Sequence, residues 1–369
     1  MRVPVLAINT IAAGGGSILF FDGSSYRVGP QSAGSNPGPA CYRRGGPLAV
    51  TDANVMLGKI HPQYFPSVFG TDGNLPLDKE IVIQKFTQLA QDIAAVTGNH
   101  RTSEQVAAGF IAIAVENMAN AIKKISLQRG YDVTQYVLCC FGGAGGQVAC
   151  LIADTLGMKK IFLHPYAGVL SAYGMGLADV RATRVGGVEQ PLTQALIPQL
   201  IQLIESLETQ ARSELNNEAT SEEEVVKKVN LKYEGTNSTL TIDFAPDVTV
   251  MQENFETEHN PRYGFIQLEK RLIVESISVE VIQKMETPEE PVMTRIRPLD
   301  ETPKFVEKLR MFADDIWHDT PIYRREDLQP EDSISGPAII VEKISTIVVE
   351  PRWEAKLTAQ NHLLLQRVH

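Results

Sequence analysis

Basic charge is what this sequence is short of. Its 369 residues carry 34 Lys and Arg against 44 Asp and Glu, a net charge of −10. A general nucleic-acid binder presents a basic face, so that class is not expected. A single nucleotide needs only a local site and stays open. Cysteine is scarce too, with four residues, Cys41, Cys139, Cys140 and Cys150. None has C-x-x-C spacing, so neither a cysteine zinc site nor a disulfide framework is expected. Buried thiols in a reducing compartment are. No apolar run reaches the roughly 20 residues that span a bilayer. The opening "MRVPVLAINTIAAGGGSILFF" has one Arg and small residues. Pro4, Asn9 and Thr10 break the continuous apolar core of about 7–15 residues that a secretion signal needs. The expectation is a cytoplasmic protein with no membrane and no nucleic-acid partner. No G-x-S-x-G elbow or H-E-x-x-H pair occurs, so nothing points to serine-hydrolase or zincin chemistry.

Hydrophobic residues make up 43% of the chain, enough for real cores. At about 150 residues per domain the length allows two or three domains. The apolar run 18–21, the turn signal "DGSS" and "YRVG" at 26–29 predict a hairpin. Residues 29–47, dense in Gly, Pro and Ser, predict a long irregular loop of the functional kind. A helix is predicted over 78–98. A second opens on Thr102, whose capping box with Gln105 precedes a long apolar stripe ending near Gly130. "YVLCCF", a glycine turn, "QVACLIADTLGM" and "KKIFLHP" spell strand, turn, helix and strand. Such a βαβ unit pairs its strands in parallel. Residues 167–181 read as a small-residue loop, and 192–228 as a charged helical stretch with "SEEEVVKK" on a solvated face. Segments 229–235, 238–244, 271–282, 336–342 and 345–351 alternate like a mostly antiparallel β region. A boundary near 190 separates domains 1–190 and 191–369.

The stretch most pointed toward chemistry is "CCFGGAGGQVAC", residues 139–150. A Walker A loop needs G-x-x-x-x-G-K-[ST], and Gln147 stands where the Lys belongs. A dinucleotide fingerprint needs a third glycine, and Val148 takes that place. Two readings remain. The turn accepts an adenosine backbone-first, or it is a tight turn where helix and strand pack closely. "AAGGGS" at 12–17 is a second small-residue turn, able to admit a substrate or to be a bulge. Asp52 in "TDAN" is a metal or ligand candidate, or an Asx turn or helix cap. His164 ends a strand where open α/β sheets bind ligands, or is a hydrogen-bonded structural His. Asp179 and Arg181 read as a surface pair.

Several segments together carry a resemblance: "NTIAAGGGSI", "YRVGPQSAGSNPGPACYRRGGPLAVTDANVMLGKI", "AVENMANAIKKISLQRGYDV", "FGGAGGQ" and "HPYAGVLSAYGMGLADVRA". They resemble the hydantoinase A/5-oxoprolinase family, densely to about residue 185 and more loosely beyond. The resemblance implies an α/β fold of the actin-like ATPase (ribonuclease H-like) type, followed by a β-rich α+β region. It implies ATP-driven opening of a cyclic amide, 5-oxo-L-proline to L-glutamate, or of a hydantoin. A five-membered lactam is a poor electrophile, and ATP activates its amide oxygen toward water, with Mg²⁺ and oriented donors stabilising the charge. On this reading Gly142, Gly143, Gly145 and Gly146 take the adenosine, with Asn120 and Lys123 on the preceding helix. Asn9, Gly14, Gly15, Gly16, Asp52 and His164 lie on the substrate side. The sequence departs from the family pattern in having Asn9 and Val148 where histidines are usual. It also carries no acidic "DxGGT" phosphate loops. The expectation is the C-terminal part of a larger subunit that works with a hydantoinase B-type partner and the missing N-terminal half. The alternative is a non-catalytic remnant or assembly subunit.

Overall fold

Two hydrophobic cores organise the chain, and each gathers its own set of strands and helices. The computed structural model describes residues 8, 11, 13–215, 222–285, 289–298 and 301–368. One unit comprises Ile8–Leu127, Tyr131–Tyr173 and Glu290–His369; the other is Gly174–Glu289 with Gln128–Gly130. The family of secondary elements is α/β, as expected.

The larger unit begins with the predicted hairpin, β1 (Ser17–Phe21) and β2 (Tyr26–Ser32), antiparallel. The Gly/Pro loop leads to the short helix α1 (Val50–Met56), every residue of which is buried. Helix α2 (Lys79–Thr97) starts on Asp78, whose carboxylate accepts from the Ile81 N–H, and stops at Gly98 with φ +72°. Helix α3 (Ser103–Gln128) follows. Its predicted capping box is present: Gln105 N–H donates to Thr102 Oγ1 at 3.3 Å, and Thr102 N–H to Gln105 Oε1 at 3.1 Å. By length and composition α3 could cross a bilayer, but Val106, Ala107, Phe110 and Ala114 lie in the core of this unit.

Next come β3 (Leu138–Cys139), α4 (Ala149–Leu156), β4 (Lys160–Leu163) and α5 (Leu170–Gly176). Strands β3 and β4 pair in parallel, completing the predicted βαβ unit. Residues 170–176, expected to be loop, are helical; two glycines in "LSAYGMG" mask a segment with no buried residue to give it a stripe.

The smaller unit opens with β5 (Val180–Pro191) and α6 (Ile197–Arg212). It continues through β6 (Glu223–Tyr233), β7 (Leu240–Asp243), α7 (Val248–Tyr263) and β8 (Leu272–Gln283). The strands form an antiparallel sheet in the order β5-β8-β6-β7. "SEEEVVKK", expected on a helix, instead enters β6. Its two lysines point to opposite faces of the strand, where Lys227 pairs with Glu208 of α6 and Lys228 with Asp243 of β7. Leu200, Ile204, Val229, Leu231, Met251, Phe255 and Val279 fill the core beneath.

The chain then returns to the larger unit. Strands β9 (Glu307–Ala313), β10 (Ile316–Arg324), β11 (Ser333–Ser335), β12 (Ala338–Val341), β13 (Thr346–Val349), β14 (Trp353–Leu357) and β15 (Leu363–Arg367) build two sheets. One has the order β13-β12-β10-β9 and the other β11-β14-β15-β4-β3. Strand β15 pairs antiparallel with β4, so the last residues of the chain complete the sheet that carries the glycine turn. Trp353, fully buried, packs in the same core as Phe86, Phe110, Ile161 and Leu163.

Candidate functional site

The two glycine turns predicted from sequence lie side by side. Thr51, at the start of α1, donates both its N–H and its hydroxyl to the Gly15 carbonyl at 2.9 Å. A Cβ added to Gly15 would stand 2.8 Å from Thr51 Oγ1 and 3.6 Å from the Ala144 methyl. Gly15 and Ala144 are therefore neighbours, with the Thr51 hydroxyl packed beside them. Beneath them, Asn54 donates to Gln147 Oε1 at 2.8 Å, a buried bond joining α1 to the residue that opens α4.

Each glycine of 142–146 has its own reason. Gly142 has φ +92°, a backbone region that side chains disfavour, and an added Cβ there would meet nothing within 4 Å. Gly146 is pressed on β13: a Cβ would fall 2.9 Å from the Thr346 carbonyl oxygen. At Gly145 it would meet Cys140 Sγ at 2.9 Å. Close packing thus explains Gly145 and Gly146, while Gly142 keeps an open face. The Gly142 N–H donates to Ala167 and the Gly145 N–H to Gly142. The N–H groups of Gly143 and Ala144 have no acceptor among the described residues, and Gly143 is exposed. A turn with two free backbone donors and no Cβ at Gly142 or Gly143 suits an anionic or nucleotide ligand.

Asp52 is buried, and its carboxylate accepts from the N–H groups of Ala40, Cys41 and Ala49 at 2.8–2.9 Å. It closes the start of α1 and ties down the Gly/Pro loop. Burial pushes its carboxyl up, against the pull of the Cys41 thiol and the three N–H donors. With both oxygens so engaged, Asp52 has none to offer a metal. The Val148 side chain is 5% exposed and part of the core, so this position serves packing here. Asn120 is exposed and Lys123 half-buried on α3, and neither side chain has a hydrogen-bond or ion-pair partner among the described residues. Asn9 lies outside them. Cys41 and Cys150 are buried as expected, but Cys139 is exposed at the edge strand β3. Cys140 is partly buried, and desolvation pushes its thiol up to about 12.

His164 belongs to a second group. It sits just past β4, 8% exposed, and its Nδ1 accepts from the Tyr166 N–H at 3.1 Å. Burial, with His362 nearby, lowers its pKa. Around it gather Tyr173, His362 and Glu290; His164, Tyr173 and Glu290 line a cavity of 880 Å³ together with Arg324, Lys343 and Ile344. Ile344 links the two groups, because its carbonyl oxygen would lie 3.2 Å from a Cβ on Gly143 and 3.1 Å from one on Gly168. The sequence reading missed His362 and Glu290. The available signal for His362 was a histidine directly before the apolar alternation "LLLQR"; Glu290, in a polar turn, carried none.

Comparison with known proteins identifies the setting. A model of the hydantoinase/oxoprolinase family matches residues 1–184, and the family's C-terminal domain matches 189–368. The chain belongs to the hydantoinase/oxoprolinase family. It is 38% identical to a 5-oxoprolinase of Dictyostelium discoideum, over 97% of this chain and 28% of that protein. The structure of an ATP-dependent caprolactamase from Pseudomonas jessenii matches with a TM-score of 0.81 at 26% identity, over 96% of this chain and 52% of that one. The nucleotide-free structure of an acetone carboxylase matches in fold, with a TM-score of 0.72 at 22% identity over 96% of this chain and 52% of that one. The chain therefore spans under a third of the 5-oxoprolinase and about half of the two solved chains.

Proposed function

We propose that this chain forms part of an ATP-dependent cyclic-amide hydrolase, with 5-oxo-L-proline opened to L-glutamate as its reaction. The observation that carries this reading is the meeting of the two glycine turns at Gly15 and Ala144, with the Gly143 and Ala144 N–H groups left free. The turn fits an adenine nucleotide: Gly142 leaves room for it, and the two N–H groups can bind its oxygens. ATP, when bound, supplies the driving force for attack on a resonance-stabilised lactam. What the chain's own residues do is hold the turns in place. Asp52 anchors the loop before α1, Thr51 clamps Gly15, and Asn54 and Gln147 couple α1 to α4. Of the 14–16 glycines, Gly15 is closed by Thr51 and Gly16 by Ser32, while Gly14 has open space beside it and is the one placed to admit a small cyclic amide or hydantoin. Mg²⁺ does not fit at Asp52, whose buried oxygens accept from the Ala40, Cys41 and Ala49 N–H groups.

The printed names of the relatives, 5-oxoprolinase and ATP-dependent caprolactamase, support the reaction class. The full activity would draw on acidic phosphate loops and a hydantoinase B-type partner in addition to these residues. The free thiols favour a cytoplasmic setting. The test is ADP release dependent on 5-oxoproline, measured with this chain, its genomic neighbours and a supplied N-terminal half. Release that needs all components supports the reading. No release, beside an active homologue, contradicts it. Nucleotide binding without release would instead mark a non-catalytic remnant, the reading favoured by a core valine at 148.

A further inference from the structure

Strands β4 and β15 run antiparallel with Leu163 opposite Leu363. One step further in this register, just past β4 and just before β15, stand His164 and His362. Their ring centroids are 5.2 Å apart. Glu290 reaches both: its Oε1 is 3.8 Å from His164 Nε2 and its Oε2 is 3.6 Å from His362 Nε2. One donor atom from each of the three lies within 4.8 Å of the others. His362 Nε2 is buried and has no hydrogen-bond partner among the described residues. A buried ring nitrogen without a partner is costly unless something binds it.

We propose that His164, Glu290 and His362 bind one divalent transition-metal ion of the zinc type, with a further coordination position open to the 880 Å³ cavity. Two imidazoles and a carboxylate suit zinc and leave a fourth position for water or a ligand. Mg²⁺ prefers an all-oxygen shell, so this is a different site from any that ATP would bring. Two ligands on a tetrahedral zinc ion lie roughly 3.4 Å apart. The two histidine–glutamate separations of 3.8 and 3.6 Å are close to that, and the three donor atoms, all within 4.8 Å of one another, draw together on binding. Tyr166, Tyr173 and Phe162 pack their rings against the two imidazoles and hold them in place.

The proton balance is explicit. Tyr166 N–H donates to His164 Nδ1, which places the proton of the neutral ring on Nε2. Coordination through Nε2 moves that proton to Nδ1, so the Tyr166 N–H···Nδ1 bond is given up and the 164–166 turn must shift to part the two N–H groups. The ion's two charges exceed the one of Glu290, leaving a positive centre that would draw an anionic group from the cavity, beside Arg324 and Lys343. This site does not depend on nucleotide binding at the glycine turns.

The experiment is calorimetric titration of the chelator-treated 369-residue chain with Zn²⁺. One equivalent should bind. Losing a group one shell away from a metal costs about 10–100-fold in affinity, so Glu290→Gln and His362→Ala should each weaken binding by at least about 100-fold. Melting of the metal-free variants should match the parent. Glu290 is exposed, so its Gln variant remains decisive if His362→Ala fails to fold. Absence of Zn²⁺ binding, or one equivalent bound equally tightly by Glu290→Gln, overturns the proposal.

Discussion

At the scale of single residues, Asp52 shows how a position singled out for chemistry does its work through the backbone. Its type and place were legible, since an acidic residue three positions into a short helix caps that helix. The three N–H groups that it collects were not, because two of them, on Ala40 and Cys41, come from a loop without periodicity. Asp52→Asn turns an acceptor into a donor against those N–H groups. It should destabilise the chain by about 2–3 kcal/mol, as a buried unsatisfied group does, read as a lower urea midpoint. An unchanged midpoint would show that the loop holds without it. His61 offers a second check. Its ring is largely desolvated beside Lys79, its Nε2 has no partner, and its pKa falls to about 4 from 6.5. The unfolded chain therefore binds this proton first, and the stability due to neutral His61 is present above pH 6.5 and lost as pH falls toward about 4. Urea midpoints at pH 7 and pH 5 should differ less in His61→Gln than in the parent. Equal differences would contradict the assignment.

At the scale of elements, the sequence was legible where local chemistry and burial agree. The Thr102–Gln105 box and the helix expected over 78–98 stand as read, the latter as α2 between Asp78 and Gly98. It failed where they part. α7 carries Met251, Phe255 and His259 at a four-residue spacing, but an otherwise polar sequence and Pro261 hid it. In β6 a charge run was taken for a helix face, because lysines paired from a strand to a covering helix and to a neighbouring strand leave the same composition. The largest surprise is β15, whose partner β4 lies some 200 residues earlier; no local pattern reports such a pairing. A chain ending at residue 350 loses β14 and β15, removes buried Trp353, and bares the edge of β4. It should show no cooperative unfolding transition and should aggregate. A sharp transition like the parent's would mean that the sheet stands without its last strands.

At the scale of the whole molecule, the candidate site was half legible. Both glycine turns were visible as composition, and their meeting was not, because it depends on α1 and on Thr51. The histidine–glutamate cluster was visible only at His164. Membership of the hydantoinase/oxoprolinase family rests on matches across nearly the whole chain, and the account of nucleotide binding rests on the turns. Calorimetry with ADP tests that account most directly. The parent chain should bind one ADP. In Ala144→Glu a carboxylate enters beside the free N–H groups, and like-charge repulsion should weaken ADP at least about tenfold while leaving the melting transition in place. No binding by the parent, or equal affinity in Ala144→Glu, would contradict the claim that the two glycine turns form the nucleotide site.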